Sequence, residues 1–330
     1  MVKYIIKRLA LSLLILFGVS LIIYFLVRLM PMNYLDTKFS AQLQQGTITQ
    51  EQLNEFKALY GLADNSFGGI LKGYFKWFGN FLKLDLGTSF VYNQPVGTVI
   101  ADHMWVSFGI SFVAVILQFL IAIPLGITSA THQYSVRDYT VTVITMIGIS
   151  LPSFFFAALL IQVFSNWMGI LPSNGLVSGG GSSTGFMYFM DMVWHLILPM
   201  VVLVVLSIGG LMRYTRTNML EVLNSDYIRT ARAKGLSERK VIYVHAFRNT
   251  MIPLMTMIAG ILPSLFGGAM ITEEVFAIDG IGRLAYKALQ QGDIPFIMGY
   301  NMFLAVLTVI GTLLSDLMYA VVDPRVKLSK

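Results

Sequence analysis

Cysteine is absent from this chain, so disulfide frameworks, thiolate metal sites and cysteine nucleophiles are all closed to it. Charge is scarce as well. Asp, Glu, Lys and Arg make up 12% of the 330 residues, against 56% apolar ones. That is more apolar surface than one water-soluble core of this size can hide. The four histidines, His103, His132, His195 and His245, have no second ligand at metal spacing. Neither a Gly-x-Ser-x-Gly elbow nor a His-Glu-x-x-His pair is present, and there is no Walker lysine. Gly280-x-Gly282 lacks both the third glycine and the strand-turn-helix context of a phosphate loop.

What is present is hydrocarbon-like sequence, with a mean hydropathy of +0.71. Crossing about 30 Å of lipid takes about 20 helical residues. Runs of that length lie at 9–30, 105–128, 139–165, 194–214, 250–272 and 296–320, which predicts six transmembrane helices. Lys3, Lys7 and Arg8 precede the first run like the start of a signal peptide. That run is too long for a signal core and no small-x-small cleavage site follows it, so it reads as a retained anchor. Pro124, Pro152, Pro199, Pro253 and Pro263 fall within the runs. Each removes a backbone donor, producing either a packing kink or a bend in a helix that lines a moving pathway.

The net charge of +6 is unevenly placed. With the N-terminus inside, the inner segments hold fifteen Lys and Arg against five acids, and the outer segments hold eight against eleven. The basic excess therefore obeys the positive-inside rule and reports topology, not nucleic-acid binding. Asp316 is the one acid within a run, and near its inner end a pair with Arg213 or Arg216 is expected over a proton relay.

Residues 31–104 are long enough to fold as an insert outside the membrane. TITQEQLNEFKALYGLA, 47–63, predicts a helix capped by Thr49, with Leu53, Phe56, Leu59 and Tyr60 at helical spacing. Farther on, Tyr74, Phe75, Trp77, Phe78 and Phe81 form an aromatic patch. It serves either to pack the insert against the membrane interface or to dock an extracytoplasmic protein. SGGGSSTG, 178–185, has the composition of a flexible loop.

The polar exception is SDYIRTARAKGLSERKVIYVHAFRN, Ser225 to Asn249, within an inner loop at 217–249. Ser225 is placed to cap a helix from Asp226 to about Ala233, Lys234 ends it, and Gly235 takes the left-handed position after it. Ser237 is placed to cap a second helix with Glu238 in its first turn. Tyr227, Ala231 and Lys234 share a face at spacings of four and three, a small side chain flanked by larger ones that could seat in another protein's groove. A basic juxtamembrane loop resting on anionic membrane lipid is the alternative.

Arg229-Thr230-Ala231, then Gly235, then His245-x-Phe247-Arg248 resembles the EAA loop of ABC-importer permeases, in the form used by the dipeptide and oligopeptide (OppB/DppB-like) branch. Arg-Thr-Ala stands for Glu-Ala-Ala, a change typical of that branch. The first span, LDLGTSFVYNQPV at 84–96, EEVFAIDGIGRLAYKALQQGDIP at 273–295 and Asp323-Pro324-Arg325 are similar to the same family, although Pro31-Met32-Asn33 departs from its usual Pro-Gly-Asp and Met104 to Ser107 from its Pro-x-Thr-Leu. The resemblance implies an all-α, six-helix type I permease fold in three parts: 1–30, the insert 31–104 and a five-helix domain 105–330. It also implies a bacterial or archaeal inner membrane with both termini cytoplasmic. Implied partners are a second permease, two cytoplasmic ATPases that carry ATP and Mg, an extracytoplasmic solute-binding protein and a short peptide substrate. On that view the permease is not itself an enzyme. Asp226, Tyr227, Ile228, Arg229, Thr230, Ala231, Arg232, Ala233, Lys234, Gly235, Leu236 and Ser237, with His245 and Arg248, couple it to the ATPases. Nickel and metal-chelate importers share the family and stay open as alternatives. An ion-driven carrier would need coupling groups at the bilayer midplane, and none is visible.

Overall fold

The computed structural model describes residues 2–30, 34–59, 64, 66–179 and 184–322. Tyr60, Pro31-Met32-Asn33, the centre of the 178–185 loop and Asp323-Pro324-Arg325 lie outside them. Among the described residues there are helices and no strand, only an isolated bridge between Thr88 and Pro95. In chain order the helices are α1 (Val2–Arg28), α2 (Tyr34–Gln44), α3 (Gln50–Leu59), α4 (Phe67–Phe81), α5 (Val96–Thr131), α6 (Val136–Ser150) and α7 (Ser153–Leu160), which runs on as a π-helical segment (Ile161–Trp167). After these come α8 (Phe186–Leu223), α9 (Asp226–Ala233), α10 (Glu238–Lys240), a second π-helical segment (Val241–Ala246) and α11 (Phe247–Gly260). The last are α12 (Leu262–Gly267), α13 (Met270–Val275), α14 (Ile281–Gln291) and α15 (Ile294–Val322).

Among the described residues four helices are long and apolar enough to cross a membrane, within α1, α5, α8 and α15, and α6 with α7 and its π-helical continuation makes a fifth if the bent pair is one span. Two of the six expected runs are therefore not single straight helices. Across 139–165 the chain bends by 101° between α6 and the helix after it. Pro152 causes this: a residue before proline avoids the helical region, and Leu151 is extended at φ −82°, ψ 130°. Across 250–272 the run divides into α11 and α12 at Ile261. Pro263 sits in the first turn of α12, where its missing N–H costs nothing, and Gly268 closes that helix at φ +75°. The long helices exceed their expectations. The 38 residues of α8 extend about 57 Å at about 1.5 Å per residue.

These helices close up where side chains are small. A Cβ on Gly148 of α6 would lie 2.7 Å from the Val205 carbonyl of α8, and one on Gly209 of α8 would lie 2.7 Å from the Thr145 carbonyl of α6. Glycine at both positions lets the two backbones meet, the usual device of packing in lipid. Ala114, Ala122, Val204, Ile208, Leu211, Met212 and Leu254 fill the space between α5, α8 and α11.

The segment 273–295 is pinned by two buried acids. The Glu273 carboxyl accepts from Ser107 Oγ (2.8 Å), Ala269 N (2.9 Å) and Arg283 N (3.0 Å), and Ser107 Oγ in turn accepts from Ile281 N (2.9 Å). Asp293 accepts from Ser89 Oγ (2.5 Å), Val91 N (2.9 Å) and Phe296 N (3.2 Å), tying the chain ahead of α5 to the start of α15. Asp316 pairs with Arg8 of α1 at 3.3 Å, not with the expected arginines of α8. Arg216 already has another carboxylate.

Candidate functional site

The loop after α8 folds as a helical elbow. Ser225 occupies the N-cap position with extended backbone, but its hydroxyl does not cap α9; it donates back to the Val222 carbonyl at 2.6 Å. Ser237 likewise stands at the N-cap of α10 without a side-chain cap bond. The far end of α9 is as expected. Gly235 adopts φ +75°, its N–H bonds the Arg232 carbonyl at 2.9 Å, and Leu236 N–H reaches the Ala231 carbonyl at 3.4 Å. This crossed pair is a Schellman stop, which satisfies the orphan carbonyls and turns the chain. Across the turn Arg232 grips Glu238 with two bonds, Nε to Oε2 at 3.2 Å and Nη2 to Oε1 at 2.7 Å. That grip holds the Glu238 carboxyl below the usual glutamate range and pushes the arginine up.

The elbow has a seat. Ile228 and Ala231 of α9 are buried with Ile127 and Ala130 of α5, Met219 of α8 and Val241 and Ala246 of the second π segment, and Leu236 packs on the same cluster. Fully burying one isoleucine contributes about 2 kcal/mol, so the seat fixes α9 to the ends of three long elements. Ala231 therefore faces its own chain, and the expected outward trio of Tyr227, Ala231 and Lys234 is broken. Asp226, Tyr227, Arg229, Thr230, Arg232, Ala233, Lys234, Gly235, Ser237 and Arg248 are exposed, while His245 is half-buried. The free face is thus Tyr227, Arg229, Thr230 and Lys234, an aromatic ring among cations.

Beside the seat lies an ion pair that the sequence did not disclose. Arg216 Nε and Nη2 bond the two oxygens of buried Asp138 at 3.0 and 2.9 Å, Tyr134 N adds a bond at 3.0 Å, and the Ser129 hydroxyl also donates to Asp138. One carboxylate so joins the end of α5, the following turn, the start of α6 and the shaft of α8. The Ser135-x-x-Asp138 spacing is a local cap signal in the sequence, but nothing local points to the partner 78 residues away.

The aromatic patch belongs to α4, which Ser66 caps by accepting from Gly69 N at 3.1 Å. Tyr74 is wholly buried, sharing a 2.8 Å bond with Ser20 of α1, and packs with Tyr24, Val27, Ile70, Ile297 and Met298. Phe78 stacks on Tyr74, Trp77 stacks on Phe81, and these three rings are half-buried. Only Phe75 is largely exposed, at 57%. In α3 the Thr49 cap is present as a reciprocal box, Gln52 N to Thr49 Oγ1 at 3.3 Å and Thr49 N to Gln52 Oε1 at 2.9 Å.

Residues 122–328 match the family of binding-protein-dependent transport system inner membrane components. The chain is 38% identical to the oligopeptide transport system permease protein AppB of Bacillus subtilis (strain 168), over 99% of this chain and 100% of that protein. It is 34% identical to the dipeptide transport system permease protein DppB of Lactococcus lactis subsp. cremoris (strain MG1363), over 99% and 100%. Among solved structures, two crystal forms of the inward-facing MetNI methionine ABC transporter resemble it in fold. Their TM-scores are 0.50 and 0.53 at 17% and 18% identity, covering 68% of this chain and 96% of theirs.

Proposed function

We infer, because this chain belongs to the family of binding-protein-dependent transport system inner membrane components, that it is the membrane permease of an ATP-driven importer of short peptides. It is a multi-pass membrane protein, and the names of its relatives from Bacillus subtilis and Lactococcus lactis favour peptides over nickel or metal chelates. In this reading a second permease completes the passage, two cytoplasmic ATPases bind ATP and Mg, and an extracytoplasmic binding protein delivers the peptide. This chain performs no hydrolysis. Its termini and the 217–249 loop face the cytoplasm, where the basic residues of that loop obey the charge rule. The insert at 31–104, whose last residues already belong to α5, lies outside with the exposed edge of α4 around Phe75 toward the binding protein. Residues 105–330 form the transmembrane permease domain.

The observation that carries the reading is the seated elbow. A load applied to the free face of α9 cannot be absorbed locally, because Ile228 and Ala231 are packed against α5 and α8 and the Arg232–Glu238 grip closes the turn. It passes instead into long helices, where a shift between two packed arrangements can open one side of the membrane and close the other. The test is reconstitution in liposomes of the permease pair, the ATPases and the binding protein. Peptide uptake is expected only with all parts and ATP. Uptake by this chain without a nucleotide-binding partner contradicts the reading.

A further inference from the structure

Most faces of α8 are occupied. Val205 and Gly209 meet α6, Thr215 meets Gly126 of α5, and Arg216 holds Asp138. One face of its C-terminal half is open: Gly210, Arg213, Tyr214, Thr217 and Glu221 recur at spacings of three and four and are all exposed. The open surfaces of other spans are apolar, with Leu13, Leu14 and Ile22 on α1 and Val143, Ile144 and Ile147 on α6. Gly210, Arg213 and Tyr214 stand at the inner end of the 194–214 run and Thr217 and Glu221 just beyond it, so the stripe borders water at the cytoplasmic mouth of the helices. An open concavity of about 530 Å³ lies on that stripe, lined by Ile149, Gly210, Arg213, Tyr214, Thr217 and Asn218. Gly210 keeps it clear, since no atom lies within 4 Å of where a Cβ would stand. Arg213 has no ion pair among the described residues, whereas Arg216, one turn on, is doubly bonded to Asp138.

We propose that this patch is a transit site for the carboxylate of the transported substrate, with the Arg213 guanidinium as the cation and the Tyr214 and Thr217 hydroxyls beside it. The proposal rests on the permease reading and adds the chemical group recognised. A guanidinium fork matches a carboxylate in geometry as well as charge. The site is open and carries a single cation, as a passage requires: attractive enough to be entered, too weak to trap.

The test uses the reconstituted complex with trialanine and its C-terminal amide as probes. The binding protein is the same in every sample, so its own preference cancels when the acid-to-amide uptake ratio of a variant is divided by that of the native complex. Arg213→Gln is expected to lower the ratio about tenfold, the worth of one charge-assisted hydrogen bond, and Arg213→Lys to keep most of it. A ratio unchanged in Arg213→Gln overturns the proposal. If that variant fails to assemble, Thr217→Cys gives an independent readout, because the native chain has no cysteine. A water-soluble thiol reagent should label it, and trialanine should slow the labelling more than the amide does; no labelling, or equal protection, overturns the site. Absence of ATP-driven uptake by the native complex counts against the permease reading itself, while uptake with an unchanged ratio counts against the carboxylate site alone.

Discussion

Asp138 and Ala231 show how single residues hold α9 and its neighbours in place. Removing the charge in Asp138→Asn leaves the Arg216 guanidinium half-buried without its partner, and breaking a pair of that kind costs about 3 kcal/mol. The expected result is a clear fall in the thermal denaturation midpoint of the detergent-purified complex. Arg216→Lys should fall between variant and native, because an ammonium keeps the charge and loses the two-pronged geometry. An unchanged midpoint in both would show that the pair is structurally idle. Ala231→Trp forces a large ring into a seat lined by Ile127, Ala130 and Met219, and overpacking costs about 1–3 kcal/mol. It should lift α9 off its seat, leaving ATP hydrolysis present and peptide uptake reduced at least about tenfold, read as peptide moved per ATP. Gly235 was legible in the sequence because only a left-handed residue can end α9 and turn the chain. The inward orientation of Ala231 was not, since the atoms it touches belong to α5, about a hundred residues earlier, and helical spacing carries no information on which face is covered.

At the scale of elements, the elbow and α4 behave differently from their sequence patterns. The Arg232–Glu238 grip depresses the Glu238 pKa, so its contribution is fully present above the ordinary glutamate value and is lost as pH falls through the lowered one. Both side chains are largely exposed, so the effect on stability is below about 1 kcal/mol. Glu238→Gln should loosen the turn at neutral pH, seen as faster amide exchange at Gly235 and Leu236, and should abolish the extra loosening that the native protein shows on acidification. In α4 the patch divides by burial. Phe75→Ala should weaken binding-protein engagement without changing stability, whereas Tyr74→Ala should destabilise by about 3–5 kcal/mol through the cavity left among α1, α4 and α15. Equal effects on both readouts from the two substitutions would mean that the patch is packing alone. Existence of the long apolar helices could be read from run length. Their breaks at Leu151-Pro152 and Ile261 could not be placed in advance, because proline inside lipid either kinks a helix or restarts one, and the outcome depends on neighbours.

For the whole molecule, the arrangement makes a short polar elbow exposed on one face and packed on α5, α8 and the second π segment on the other. Elsewhere two buried acids tie down the segment before α15, Glu273 to Ser107 of α5 and Asp293 to Ser89 ahead of α5. Run length made the long apolar helices readable. The three-dimensional unit made of Asp138 with Arg216 and the seat under α9 depends on pairs far apart in sequence and so became visible only in the fold. The most direct measurement is site-specific photocrosslinking in the native complex from position 227, where Tyr227 is 48% exposed on the free face of α9. The account predicts an adduct between this chain and the cytoplasmic ATPase. A complex that imports peptide yet yields no such adduct, or one that crosslinks position 227 to the extracytoplasmic binding protein, contradicts it.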